Sequence, residues 1–160
     1  MGKKIIASWI IGCAGIAFLV VMSGGAGKIP AFIDLPGFMI AALLPFATAL
    51  ALFGTGKTGT AFSAPFKQAA LKSELETSAA FFKTLMGFIA AYSTLAFTVG
   101  FVMIMIYAAD GASTGQIGVN LAIAILSFFY ASICAIIVVL PLSAAARIRL
   151  SECRAEEAGA

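Results

Sequence analysis

The run "LMGFIAAYSTLAFTVGFVMIMIYAA", Leu85–Ala109, contains no Asp, Glu, Lys or Arg. A helix of about 20 apolar residues crosses the hydrocarbon core of a bilayer, so this run is long enough to span one. Three more runs lie around it: Ile5–Met22, Ala31–Phe53 and Ile117–Ala146. The pattern predicts an all-α membrane protein with four transmembrane helices. Composition agrees: the 160 residues are 62% hydrophobic and 11% charged, against about 25% charged in a soluble domain.

The charges collect between the runs. Lys3 and Lys4 precede the first; Lys57, Lys67, Lys72 and Lys83 separate the second from the third; Arg147, Arg149 and Arg154 follow the fourth. The other two connections hold one Lys, Lys28, with Asp34 and Asp110. Lys and Arg accumulate on the cytoplasmic side, which predicts cytoplasmic termini and two outward hairpins. The resulting division is a transmembrane hairpin at 1–53, a cytoplasmic turn and helical extension at 54–84, a second hairpin at 85–146 and a cytoplasmic tail at 147–160. Basic residues split among three short segments do not form a surface for nucleic acid.

Lys3-Lys4, the first run and Ser23-Gly24-Gly25-Ala26 imitate a cleavable signal peptide, and Ile10-Ile11-Gly12-Cys13 imitates a lipoprotein box. The expectation is that neither is cut, so Cys13, like Cys134, lies inside a membrane helix as a small apolar residue. Pro45, near the middle of the second run, should kink its helix.

Between the hairpins, Gly56-Lys57-Thr58 matches the tail of a phosphate-binding loop. The full motif needs a glycine five residues earlier and a preceding strand; Ala51 and an apolar helix stand there instead. Gly54, Gly56 and Gly59 are expected to end the second helix in a flexible turn. Ser63 and Pro65 read as the next helix start, so the third helix should extend into the cytoplasm. Whether it breaks near Thr77-Ser78 is left open by the sequence.

There is no His in the chain, so neither a Ser-His or Cys-His nucleophile nor a His-ligated metal or haem can be assembled. The reading is a non-enzyme without cofactor or metal. What remains in the apolar runs is an ordered set of small and hydroxyl-bearing residues. Asn120, Ala124, Ser127, Ala131 and Cys134 share one face of the fourth helix, and Gly87, Ala91, Thr94 and Thr98 one face of the third. Such faces serve close helix packing, or form a narrow, weakly polar lining around a partner helix or ion path.

Two stretches carry a family resemblance. Gly24-Gly25 followed by "FIDLPGFMI", Phe32–Ile40, resembles the outer hairpin of MotA flagellar-stator proteins, where glycines precede a Phe, an Asp and a Pro. "DGASTGQIGVNLAIAILSFFYASICAIIVVLPL", Asp110–Leu142, resembles the MotA fourth-helix region. Residues Ala124–Ala131 lie on its "ALLTTLYG" octet, and Pro141-Leu142 on its terminal Pro-Leu. The resemblance implies a MotA/TolQ/ExbB-type subunit of a proton- or sodium-driven motor in the bacterial inner membrane. Five copies would ring a dimer of a MotB/ExbD-like single-helix protein that brings the ion-carrying Asp. The implied ion-path residues are Ser127, Thr98, Thr94, Asn120, Ala124 and Ala131. Phe32, Asp34, Pro36, Gly100 and Tyr130 are the implied partner or hairpin contacts. The third helix lacks the family's Pro, with Gly100 at the later family Gly and Thr98 or Thr94 in place of its Thr. Phe128 replaces one family Thr, and residues 54–84 are far shorter than the MotA domain that engages a rotor. A non-conducting scaffold for the same partner, and a small multihelix transporter, are the competing readings.

Overall fold

A computed structural model of the chain describes residues 2–24, 30, 32–67 and 69–159. The glycine-rich end of the first run beyond Gly24, and Lys28, lie outside the described residues. Four helices are long and apolar enough to cross a membrane, so the chain is a multi-pass membrane protein. They are α1 (Gly2–Gly24), α2 (Leu35–Ser63), α3 (Lys72–Ala109) and α4 (114–159).

The centre of the bundle is α3, which packs against α2 on one side and α4 on the other. The hairpin α3–α4 turns at Asp110-Gly111, where Gly111 takes φ 84°. Ser113 then caps α4: its Oγ accepts from the Gln116 N–H at 3.3 Å, and the Gln116 Oε1 accepts from the Ser113 N–H at 3.0 Å. This reciprocal pair satisfies two of the helix's orphan donors. By contrast, α1 packs mainly against the second half of α4. Its Gly12 lies against Ile136 and Ile137, and Trp9 meets Phe66 at 6.2 Å between ring centroids.

Two of the helices change register before a proline. A π turn covers Met39–Leu43 in α2 and another covers Ala135–Val139 in α4, with Pro45 and Pro141 two positions beyond. The Leu44 N–H bonds Met39 O and the Leu140 N–H bonds Ala135 O, which absorbs the donor missing at each proline. The disturbance expected at Pro45 therefore takes the form of a widened turn, repeated at Pro141.

The segment between the hairpins departs from the sequence reading. Gly54 has φ 76° and ψ 164°, a region that is essentially glycine-only. Phe46 and Phe62 are sixteen positions apart, about 24 Å along a straight helix, yet their rings are 6.1 Å apart. The chain thus reverses at Gly54 and α2 comprises two arms. Gly56 and Gly59 do not contribute to a turn; they lie in the returning arm, and Gly56-Lys57-Thr58 is helical. Ser63 does not start a helix either. Its Oγ donates to Thr60 O at 3.3 Å in the last turn of the returning arm, which ends there with Ala64 as its C-cap, just ahead of Pro65. The next helix begins at Lys72, where Glu74 accepts from the Leu71 N–H at 3.1 Å. It runs through Thr77-Ser78 without a break. The tail from 147 is not a separate element but the continuation of α4 to Gly159.

The returning arm explains where the core sits. Phe53, Phe62, Phe81 and Phe82 meet edge-on at 5.2–5.7 Å, each such pair contributing about 0.5–1.5 kcal/mol beyond area burial. Ser78, fully buried, donates to Ala61 O at 2.7 Å and ties α3 to this arm. Around it lie Lys67–Glu74 and Lys72–Glu157 at 2.6 Å and Arg154–Glu76 at 3.9 Å. These surface pairs contribute little. The Lys67 ammonium, then the Leu71 N–H, holds the Glu74 carboxyl below the usual carboxylate range. Its small stabilisation is therefore present above that range and lost as pH falls through the lowered value.

Candidate functional site

Helix α3 presents two opposite faces. Gly87, Ala91, Thr94 and Thr98 are exposed, uncovered by any other described part of the chain. Half a turn away, Ala96, Gly100, Met103 and Tyr107 line a cavity of about 260 Å³ with Asn120, Ala124 and Ser127 of α4 and Asp34 and Pro36 of α2. The predicted ion-path residues are therefore divided between the two faces. Asn120, Ala124 and Ser127 come together on the inner side, while Thr94 and Thr98 stay on the outer one.

Hydroxyl geometry follows this division. Ser127 is 3% exposed, and its Oγ lies 2.9 Å from Ala124 O and 3.3 Å from Ser93 O. At the wall of the cavity, its hydroxyl is turned to the carbonyls of α3 and α4 and bridges the two helices. Thr94 donates to Ala90 O and Thr98 to Thr94 O, each at 2.8 Å. Such back-bonds to the preceding turn are readily exchanged for an external acceptor, because the hydroxyl rotates. Beside Thr94, an open groove of about 240 Å³ runs between α3 and α4, lined by Ala90, Ser93, Phe128, Ala131, Ser132 and Ala135 among others. Ala131 is buried at its floor.

Phe32, Asp34 and Tyr130 form a second constellation. The Tyr130 hydroxyl donates to Phe32 O and accepts from the Asp34 N–H, both at 2.6 Å. Phe32 packs on Phe129 at 5.3 Å and Phe38 meets Tyr130 edge-on at 5.7 Å. Asp34 is the N-cap of α2, its Oδ2 accepting from the Gly37 N–H at 3.0 Å, with Pro36 in the first turn. A side chain at Gly37 would collide with that carboxylate. The entry to α2 is strapped to the middle of α4 by these contacts. Gly100 is not part of the strap; it serves the close approach of α3 to Ala124.

Residues the sequence reading passed over include Ser93, Tyr107 and the Thr48–Tyr92 hydroxyl pair at 3.0 Å. Ser93 adjoins Thr94, and its own hydroxyl returns to Ile89 O at 2.7 Å. No group of three or more His, Cys, Asp or Glu gathers among the described residues. A cavity of about 710 Å³ lies at the basic end, where Lys4, Lys67 and Arg149 face Glu152 and Glu156. Its charges largely offset one another, and it is remote from both faces described above.

Comparison of the chain with protein-family models, with curated proteins and with solved structures gives no match.

Proposed function

We propose that this chain is a ring-forming subunit of a proton- or sodium-driven membrane motor, of the MotA/TolQ/ExbB kind, that encloses a single-helix partner bearing a membrane Asp. The observation that carries this reading is the uncovered side of α3, with Thr94 and Thr98 on it and the α3–α4 groove beside it. It is small-surfaced, hydroxyl-bearing and open, as the seat of a closely packed helix needs to be. Helix α3 from Leu85 and helix α4 as far as Ala146 carry no ionisable Asp, Glu, Lys or Arg, so an ion carrier has to come from the partner. The proposed complex is five copies round two partner helices in the bacterial inner membrane, and the protein is not an enzyme. The first turns of α3 and the tail of α4 form its cytoplasmic base.

Ser127 has a smaller place in this reading than its position in the sequence implies, because its hydroxyl is used between α3 and α4. Thr94 and Thr98 are the donors that a partner carboxylate can reach. In liposomes holding the complex, Thr94→Val/Thr98→Val is expected to lower ion flux about tenfold, the equivalent of one hydrogen bond to a charged group. Ser127→Ala should leave flux near that of the parent. Flux was measured in the right place only if native mass spectrometry finds the partner bound in all three proteins. Normal flux in the double variant would sink the conducting role. A second reading, a non-conducting scaffold, is favoured by the back-bonded state of both Thr hydroxyls, and a complex that assembles without any flux would establish it.

Topology is tested separately, in a background with Cys13, Cys134 and Cys153 changed to Ala. A membrane-impermeant maleimide should label Asp110→Cys in intact cells and Gly56→Cys only after permeabilisation. Both sites are exposed. External labelling of Gly56→Cys would invert the orientation argued from charge.

A further inference from the structure

The cavity between α2, α3 and α4 is polar at one end and apolar along its depth. Asp34, Tyr107 and Asn120 stand at the polar end, near the α3–α4 turn and the start of α2; Ala96, Gly100 and Ala124 lie deeper. Among the described residues, the Asn120 amide, the Tyr107 hydroxyl and the second oxygen of the Asp34 carboxylate have no hydrogen-bond partner. Tyr107 is exposed and Asp34 and Asn120 are half-buried, so these free polar atoms stand at the end of the bundle, at head-group level, where a ligand can reach them. We infer that this cavity seats the upper part of one acyl chain of a phospholipid whose head group carries a primary amine, with the ammonium on Asp34 and the phosphate or glycerol oxygens toward Asn120 and Tyr107.

The alternatives fit the site less well. A helix about 10 Å across cannot enter a cavity of about 260 Å³ lined by three helices of the same chain. A hard divalent cation takes six or more oxygens, several of them carboxylate, and a single carboxylate lines the cavity. An anionic head group would find no Lys or Arg there. The bundle end concerned is opposite the basic one, so lipid of that leaflet is the supply. This inference does not depend on the motor reading, and a scaffold would carry the same site.

The experiment offers purified protein in mild detergent an equimolar mixture of phosphatidylethanolamine and phosphatidylglycerol with identical acyl chains, and counts adducts by native mass spectrometry. The wild-type protein is expected to retain the amine lipid about tenfold over the glycerol lipid, the equivalent of one charge-assisted hydrogen bond. Asp34→Asn should bring the ratio to about one while α2 stays capped, since Asn caps as well as Asp. Ala96→Phe, which fills the cavity, should remove adducts of both lipids. The assignment is overturned by equal retention of the two lipids in the wild type, by a preference that survives Asp34→Asn, or by adducts undiminished in a folded Ala96→Phe protein. Should that last variant fail to fold, the Asp34→Asn ratio decides alone.

Discussion

Gly100→Val is expected to pull α3 away from α4 and to lower the thermal midpoint of the detergent-solubilised protein by several degrees. A Cβ at Gly100 would stand 2.8 Å from the Ala124 Cβ and 3.4 Å from its Cα. Neither obstacle can rotate away, because one is a methyl stub and the other is main chain. Overpacking of this kind costs about 1–3 kcal/mol, and valine's two further methyls add to it. The displaced helices would also open the Ser127–Ser93 bridge. Ala124→Gly should partly rescue Gly100→Ala by vacating the space the new methyl needs. A Gly100→Val protein that melts with the parent would mean that α3 and α4 do not approach as described.

Gly54→Val is expected to abolish the chain reversal. At φ 76° and ψ 164° a non-glycine residue meets a cost of about 1–3 kcal/mol, and a β-branched side chain lies at the upper end or beyond. The returning arm would then separate from α3, taking Phe62 out of the Phe81–Phe82 cluster and leaving Ala61 O without the Ser78 hydroxyl. Protease sensitivity of the stretch 64–71 reads this directly, with faster cleavage expected in the variant. Gly59→Ala is the control. That glycine is helical, and a Cβ there meets nothing within 4 Å, so alanine should be neutral or slightly stabilising. Equal protection of Gly54→Val and Gly59→Ala would refute a glycine-dependent reversal.

These two glycines also mark what the sequence could convey. The apolar runs located all four helices, because a run that cannot face water has few other fates. Their polar boundaries were less legible. Three glycines in six residues read as a turn, yet only Gly54 has a non-helical backbone, a distinction set by how the returning arm packs on α3. Ser63 and Pro65 have helix-start chemistry, but the same residues also close a helix, and the Ser63–Thr60 bond decides between the two. For the candidate site, periodicity correctly put Asn120, Ala124 and Ser127 on one side of a helix. Periodicity carries no information about the neighbour that side meets, which here is α3 of the same chain. Phe32, Asp34 and Tyr130 were singled out through resemblance, while the hydrogen bonds joining them span almost a hundred residues and have no local signature.

The membrane-crossing arm of α2 is fixed at both ends, by the Asp34–Tyr130 strap and by the reversal at Gly54. Between them, Leu35–Phe53 measures about 28 Å, slightly less than a hydrocarbon core of about 30 Å. A helix longer than the core fits by tilting, but tilting only shortens the projection of one that is too short, and this arm cannot slide without breaking a contact at one end. The adjustment passes to the lipid, which has to thin around the protein at a cost of a fraction of a kcal/mol per Å. In a bilayer of fixed thickness the rim of compressed lipid is reduced when short spans share a boundary, so a rigid, short α2 lowers the cost of bringing two copies of this chain side by side before a single specific contact has formed.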